Sequence, residues 1–140
     1  MFRPFFAIIA FTLATPALAQ SERPASEAAA QVHFPAGASG VTLQGAVRGN
    51  DFFDYALGAR AGQTMSVDLS VADTNGDGTI YFNIMPPGAT YEVIYLGQNE
   101  GNSARVELPE DGDYVIRIYL MGNDRDTDKT VGYNLDVAID

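Results

Sequence analysis

The residues with the clearest potential for metal chemistry form the sequence Asp-Thr-Asn-Gly-Asp-Gly, which begins at Asp73. Asp73, Asn75 and Asp77 place oxygen ligands at alternate positions, and Gly78 permits a sharp turn, as in the first half of a calcium-binding loop. The position of the bidentate glutamate is occupied by Ile84, and no helical pattern flanks the segment. The pattern therefore predicts weak calcium binding, with an ordinary polar hairpin turn as the alternative.

Residues for catalysis are sparse. The sequence has no cysteine and a single histidine, His33, and it contains no G-x-S-x-G motif for a nucleophilic serine. The 18 acidic residues offer carboxylate pairs, but most lie in turns, where water keeps their chemistry ordinary. The sequence therefore favours a binding protein over an enzyme.

A second candidate site is the polar segment of residues 121–131, which contains Gly-Asn-Asp-Arg-Asp-Thr-Asp-Lys-Thr between two apolar alternations. It is longer than the two to five residues typical of hairpin loops, and long loops in compact domains are commonly functional. We therefore expect this segment to be a contact loop.

The charge of the chain restricts its partners. It has 8 basic and 18 acidic residues, a net charge of −10, and loss of Arg3 with a leader peptide would make the net charge −11. Such a surface repels nucleic acid and anionic membranes and attracts basic proteins or divalent cations. A basic protein is therefore the expected partner; the alternative is that acidity serves solubility alone.

The elements that must position these residues are β-strands. Apolar residues alternate with polar ones in short segments separated by turns rich in glycine, proline, asparagine and aspartate. The pattern predicts an all-β fold, an antiparallel β-sandwich or flattened barrel of about eight strands. The two longest alternations, residues 114–120 and 133–139, are neighbours in sequence, and we expect them to pair through residues 121–131.

The N-terminus predicts export. Residues 1–19 contain one charge, an apolar stretch and the small-residue sequence Ala-Leu-Ala before Gln20, as in a cleaved signal peptide. Residues 20–31 are polar and alanine-rich, which predicts a flexible tail, and residues 32–140 are expected to form the β-sandwich domain. The mature protein is thus expected in the periplasm or secreted, without membrane insertion.

Three segments carry a family likeness. They are Gly-Ala-Val-Arg-Gly-Asn-Asp at 45–51, Tyr-Phe-Asn-Ile at 81–84 with Pro-Pro-Gly at 86–88, and Leu-Pro-Glu-Asp-Gly-Asp-Tyr at 108–114, which continues to Tyr-Asn-Leu at 133–135. Through them the chain from about Val32 to Ile139 resembles the periplasmic lysozyme inhibitors of bacteria, in particular the g-type inhibitor group. A weaker likeness, to the accessory β-sandwich domains of secreted peptidases, shares a Gly-Gln turn and a Gly-Asp-Tyr sequence at the start of a strand.

The resemblance implies that the loop before the last strand, residues 122–129, enters a lysozyme cleft and meets its acidic groove with basic residues. In this sequence Gly122 and Asp126 occupy the positions of the family's arginines, Arg125 is displaced by one residue, and Asn50 stands where an aromatic residue is often found. The predicted partner-binding residues are Asn50, Asp51, Tyr119, Asn123, Asp124, Arg125 and Asp126.

Two alternatives to lysozyme inhibition follow from the residues. One is a non-catalytic accessory or envelope domain, stabilised by calcium through Asp73, Asn75 and Asp77. The other is carbohydrate binding, in which exposed aromatic side chains such as Tyr119 or Tyr91 would stack on sugar rings.

Overall fold

The computed structural model describes residues 23–140, which form two facing β-sheets. Two short α-helices, α1 (Gly97–Glu100) and α2 (Gly122–Asp126), and one 3-10 helix (Ala25–Glu27) lie in the connections. The strands are β1 (Ala30–Gln31), β2 (Gly40–Arg48), β3 (Phe52–Ala59), β4 (Thr64–Thr74), β5 (Ile80–Met85), β6 (Tyr95–Leu96), β7 (Ser103–Glu107), β8 (Gly112–Leu120) and β9 (Thr130–Ile139).

The sheets have five and four strands, in the orders β1-β3-β8-β5-β6 and β2-β9-β4-β7. All pairs are antiparallel except β1 with β3. The predicted all-β sandwich is confirmed, and the described strands form two separate sheets, which excludes the flattened barrel. Side chains at alternate positions fill the space between the sheets, as expected from the period of two. The fully buried members of this core include Phe82, Met65, Ile116, Ile118, Tyr114, Tyr133 and Leu135.

The predicted pairing of the last two long strands is wrong. β8 lies between β3 and β5 in the five-stranded sheet, whereas β9 lies between β2 and β4 in the other sheet. Residues 121–129 therefore cross from one sheet to the other instead of closing a hairpin. The crossing alone does not set the length of this connection, because residues 49–51 join β2 to β3 across the same gap; the β8–β9 connection is longer because it contains α2.

The N-terminal segment also differs from the expectation. The predicted signal peptide and residues 20–22 lie outside the described residues, but residues 23–31 pack against the five-stranded sheet instead of forming a free tail. β1 pairs with β3, and the Ala25 N–H donates to the Ala89 carbonyl at 3.0 Å. The small side chains of this segment suit the shallow outer face formed by Ala56, Met85 and Val115. Within residues 23–140, no helix is long and apolar enough to cross a membrane.

Candidate functional site

Three connections meet at one end of the sandwich. They are residues 48–51, which comprise the last residue of β2 and its connection to β3, residues 75–79 between β4 and β5, and residues 121–129 between β8 and β9; together we call them the loop end. The Gly49 N–H donates to the Lys129 carbonyl at 2.9 Å, and the Thr130 N–H donates to Asn75 Oδ1 at 3.0 Å. Hydrogen bonds therefore link the central connection to both of its neighbours.

Asp124 also links the β8–β9 connection to the β4–β5 connection. Its side chain is fully buried, and its carboxylate accepts the N–H groups of Asp77 and Thr79, each at 2.8 Å. The N–H of Asp77 makes the largest contribution in lowering the pKa of Asp124; burial opposes it, and the N–H of Thr79 and the charge of Lys129 add to the lowering. Because this carboxylate faces the protein interior, the predicted role of Asp124 as a partner contact gives way to a structural role.

The other predicted residues of this connection are accessible. Asn123 and Asp126 are exposed and Arg125 is half-buried. Arg125 Nε lies 3.0 Å from Asp126 Oδ1, so the guanidinium is accompanied by an exposed carboxylate from the adjacent residue. The Thr127 N–H donates to the Asn123 carbonyl at 2.8 Å and closes the short helix. The three side chains thus share one ordered turn.

The turn between β2 and β3 exposes Asn50 and Asp51 beside this connection. The Asp51 N–H donates to the Arg48 carbonyl at 3.0 Å, and the Arg48 guanidinium reaches the Asp128 carboxylate at 2.6 Å. Both partners of this ion pair are exposed, so it contributes little to stability, but it aligns the turn with the β8–β9 connection.

An aromatic row crosses the outer face of the five-stranded sheet next to the loop end. Phe52, Tyr119 and Tyr81 lie directly opposite one another on β3, β8 and β5. Phe52 is 55% exposed, and the rings of Tyr81 and Tyr119 are 6.2 Å apart. Burial raises the pKa of Tyr119. Sequence reasoning identified Tyr119 alone; the alternation that turns Tyr55 inward also turns Phe52 outward and would have revealed it.

The next row of the same face supports these rings. Arg117 makes two hydrogen bonds with the Asp54 carboxylate, at 2.8 and 2.9 Å, and its guanidinium carbon lies 4.1 Å from the centre of the Phe52 ring. The Tyr119 hydroxyl donates to Asn83 Oδ1 at 2.9 Å. Tyr91, the other aromatic residue considered for sugar binding, is 72% exposed between β5 and β6.

The predicted calcium ligands are arranged differently from a metal site. Asn75 Oδ1 accepts the Thr130 N–H, and the N–H groups of Asp77 and Thr79 point at a carboxylate, so this segment closes around an anionic side chain. Asp73 lies at the end of β4 beside Gly132. In the part of the chain that the structure describes, no three histidine, cysteine or acidic side chains are grouped so as to hold a metal ion. The geometry gives the calcium prediction no support.

Comparison with known proteins shows that the chain is similar to inhibitors of g-type lysozyme. No protein-family model matches the sequence. The chain is similar to the inhibitor of g-type lysozyme from Escherichia coli (strain K12), with 28% identity over 110 residues, which cover 77% of this chain and 78% of the relative.

Two crystal structures extend the similarity. PliG from Aeromonas hydrophila, a periplasmic inhibitor of g-type lysozyme, is 31% identical with a TM-score of 0.70, over 80% of this chain and 96% of that protein. PliG from Salmonella Typhimurium is 21% identical with a TM-score of 0.62, over 79% of this chain and 96% of that protein, a likeness of fold.

Proposed function

We propose that this chain, which belongs to the family of periplasmic inhibitors of g-type lysozyme, binds a lysozyme in the periplasm and covers its active-site cleft with the β8–β9 connection. The observation that carries the proposal is the grouping of the predicted contacts. Residues from two separate parts of the sequence lie together at or beside the loop end: Asn50, Asp51, Asn123 and Asp126 are exposed, and Arg125 and Tyr119 are half-buried. Such a composite surface suits recognition of another protein.

The geometry supports inhibition by occlusion. The β8–β9 connection begins and ends in β-strands of different sheets and is hydrogen-bonded to both neighbouring connections. Such a loop loses less conformational entropy on binding than a free one of the same length. Arg125 would meet the catalytic carboxylates that glycoside hydrolases use, and no bond needs to be made or broken in the inhibitor.

The aromatic row would add apolar contact beside the polar loop end. Aromatic side chains and arginine are enriched at the centres of protein interfaces, and Phe52 offers a large exposed ring already stacked against Arg117. The same row is the observation that favours carbohydrate binding as a second candidate function, because aromatic rings stack on sugar rings as well as on protein.

The test is an assay of cell-wall hydrolysis by g-, i- and c-type lysozymes with the purified mature protein at micromolar excess. We expect slowing of the g-type enzyme, and about ten-fold weaker inhibition by Arg125→Ala, because truncating a central arginine removes a charged contact. Arg105→Ala, an exposed arginine on β7 away from the loop end, is the matched control and should inhibit like the wild type.

Two results would contradict the proposal. One is the absence of slowing with every lysozyme type. The other is retention of the protein on purified sacculi without any lysozyme effect, which would favour the carbohydrate-binding function instead.

A further inference from the structure

Asp124 is the one charged residue that is buried as a whole within residues 23–140. A buried carboxylate is costly unless it is hydrogen-bonded, so a residue of this kind in an otherwise exposed polar loop calls for a physical reason. Packing in the hydrophobic core is not the reason for this burial, because Asp124 lies outside the core, among the connections of the loop end.

The contacts of Asp124 join two connections that are far apart in sequence. Its two oxygens accept from Asp77 and Thr79 of the β4–β5 connection, 47 and 45 residues away. Its own carbonyl accepts the Lys129 N–H at 2.9 Å, which fixes the far end of the β8–β9 connection to its beginning. Nearby, the Met121 N–H donates to the Thr79 carbonyl at 3.1 Å. Asp124 is therefore the point where the two connections are fastened.

Gly76 makes this fastening sterically specific. A Cβ atom at Gly76 would collide with Asp124 Oδ1 and would lie 2.9 Å from Lys129 Cγ, so the carboxylate occupies the space of the missing side chain. The backbone of the β4–β5 connection can approach the carboxylate only because this position carries no side chain.

We propose that Asp124 is a positioning residue that fixes the β8–β9 connection in its lysozyme-binding conformation by fastening it to the β4–β5 connection. This inference rests on the proposed function. While the carboxylate of Asp124 points inward, the neighbouring Asn123, Arg125 and Asp126 are directed outward along one short helix. The residues that resemble a calcium loop thus serve as hydrogen-bond donors to an internal anion.

The experiment uses Asp124→Asn and Gly76→Ala in the full mature chain. Asparagine keeps the shape of aspartate but offers only one acceptor oxygen, and its amide group would face an N–H donor. Alanine at Gly76 displaces the carboxylate while leaving it in the sequence. Asp113→Asn is the control, because it removes an exposed carboxylate at the start of β8, away from the loop end.

Amide hydrogen exchange reports directly on the hydrogen bonds that the Asp124 carboxylate accepts. In both variants we expect the Asp77 and Thr79 amides to exchange about ten-fold faster or more, since hydrogen bonds to a charged acceptor are lost. Exchange in the cores of β8 and β9 should stay unchanged, and Asp113→Asn should match the wild type throughout. Unchanged exchange at Asp77 and Thr79 would overturn the proposal.

Lysozyme binding measures the consequence. We expect about ten-fold weaker affinity for both variants, because the connection must then be ordered during binding. Faster exchange with unchanged affinity would overturn the positioning role. If the wild type itself binds no lysozyme, the proposed function fails, while the exchange result still decides whether Asp124 holds the connection.

Acid pH supplies a readout that a general loss of stability would not reproduce. The pKa of Asp124 is lowered in the folded state from its ordinary value of 3.8, so the fastening is complete above that pH and is lost as pH falls through the lower folded pKa. The charged residues near its carboxylate are Lys129, which favours ionisation, and Asp77 on the facing connection. Protection at Thr79 should fall with acid in the wild type, whereas in Asp124→Asn it should be low and should not depend on pH in this way; a pH-independent wild type would overturn the proposal.

Discussion

Arg125 and Asp126 illustrate how single residues set the charge that the β8–β9 connection presents. Their side chains lie 3.0 Å apart, and both are accessible to solvent. A partner that brings a carboxylate to this point meets a cation that is already accompanied by an anion. The arrangement weakens attraction to an acidic cleft, because like charges brought together at an interface cost free energy.

Replacing Asp126 by arginine should therefore strengthen inhibition. Asp126→Arg removes the competing carboxylate and adds a second cation beside Arg125, and we expect about ten-fold tighter binding to a g-type lysozyme with an acidic cleft. Gly122 is a poorer place for the same change, because its φ of 61° is unfavourable for any residue with a side chain.

The measurement is the inhibition constant at fixed salt, compared with that of Asp113→Arg, which makes the same change of charge in an exposed residue away from the loop end. Equal gains from both variants would show that the overall charge, and not a contact at residue 126, is responsible. Weaker inhibition by Asp126→Arg would contradict contact between this connection and an acidic groove.

At the scale of elements, the packing of β2 beside β9 requires a glycine at position 45. Gly45 lies opposite Tyr133, and a Cβ atom there would lie 2.7 Å from Cζ of the tyrosine ring. The Tyr133 hydroxyl extends to the Tyr55 hydroxyl in the other sheet, 2.7 Å away. Burial, and then the hydrogen bond with Tyr55, raise the pKa of Tyr133, so this contact between the sheets stays uncharged at physiological pH.

Gly45→Val should destabilise the fold by about 1–3 kcal/mol, the usual cost of forcing extra atoms into a packed core. The adjacent residue offers the control: Ala46 faces solvent on the same strand, so Ala46→Val should leave the free energy of unfolding nearly unchanged. Urea unfolding followed by tyrosine fluorescence measures both. Equal stability of the two variants would contradict the role assigned to the glycine.

The strands and their faces could be predicted from the sequence, whereas their partners could not. The period of two puts Tyr114, Ile116 and Ile118 on one face of β8 and Arg117 and Tyr119 on the other, and in the structure the first three are buried while the other two are partly accessible. The same alternation does not determine which strands pair. The prediction that the strands at residues 114–120 and 133–139 pair, because they are neighbours in sequence, was therefore wrong. The resemblance to periplasmic lysozyme inhibitors, based on turns and strand starts, is confirmed by the comparisons.

The burial of individual residues in the predicted contact loop could not be read from the sequence. Asp124 and Asp126 are the same residue type, two positions apart in one polar segment, and local sequence offers nothing to distinguish them. Only the approach of the β4–β5 connection, about 45 residues earlier, buries one and leaves the other in solvent. Contacts of this kind depend on how the sheets stack, which residue spacing does not encode.

At the scale of the whole molecule, negative charge is spread over the body and the loop end alike. The chain has a net charge of −10, or −11 without Arg3, while the loop end contains three basic and five acidic residues. Most of the excess negative charge thus lies away from the proposed contacts. Charge in such places acts over distance and influences encounter with a partner more than the lifetime of the complex.

Salt should therefore act mainly on the association rate. For a g-type lysozyme with positive net charge, we expect the association rate constant to fall about ten-fold between about 10 mM and about 300 mM salt, because screening shortens the range of attraction from about 30 Å to less than 8 Å. The dissociation rate constant should change by less than about two-fold, since the contacts in the complex are short-ranged.

Arg125→Ala should instead change mainly the dissociation rate constant, with faster dissociation and a similar salt dependence of association. Stopped-flow measurements across the salt series separate the two constants, and a lysozyme of negative net charge should reverse the sign of the salt effect. A salt dependence located in dissociation would instead mean that acidic residues outside the loop end make direct contacts in the complex.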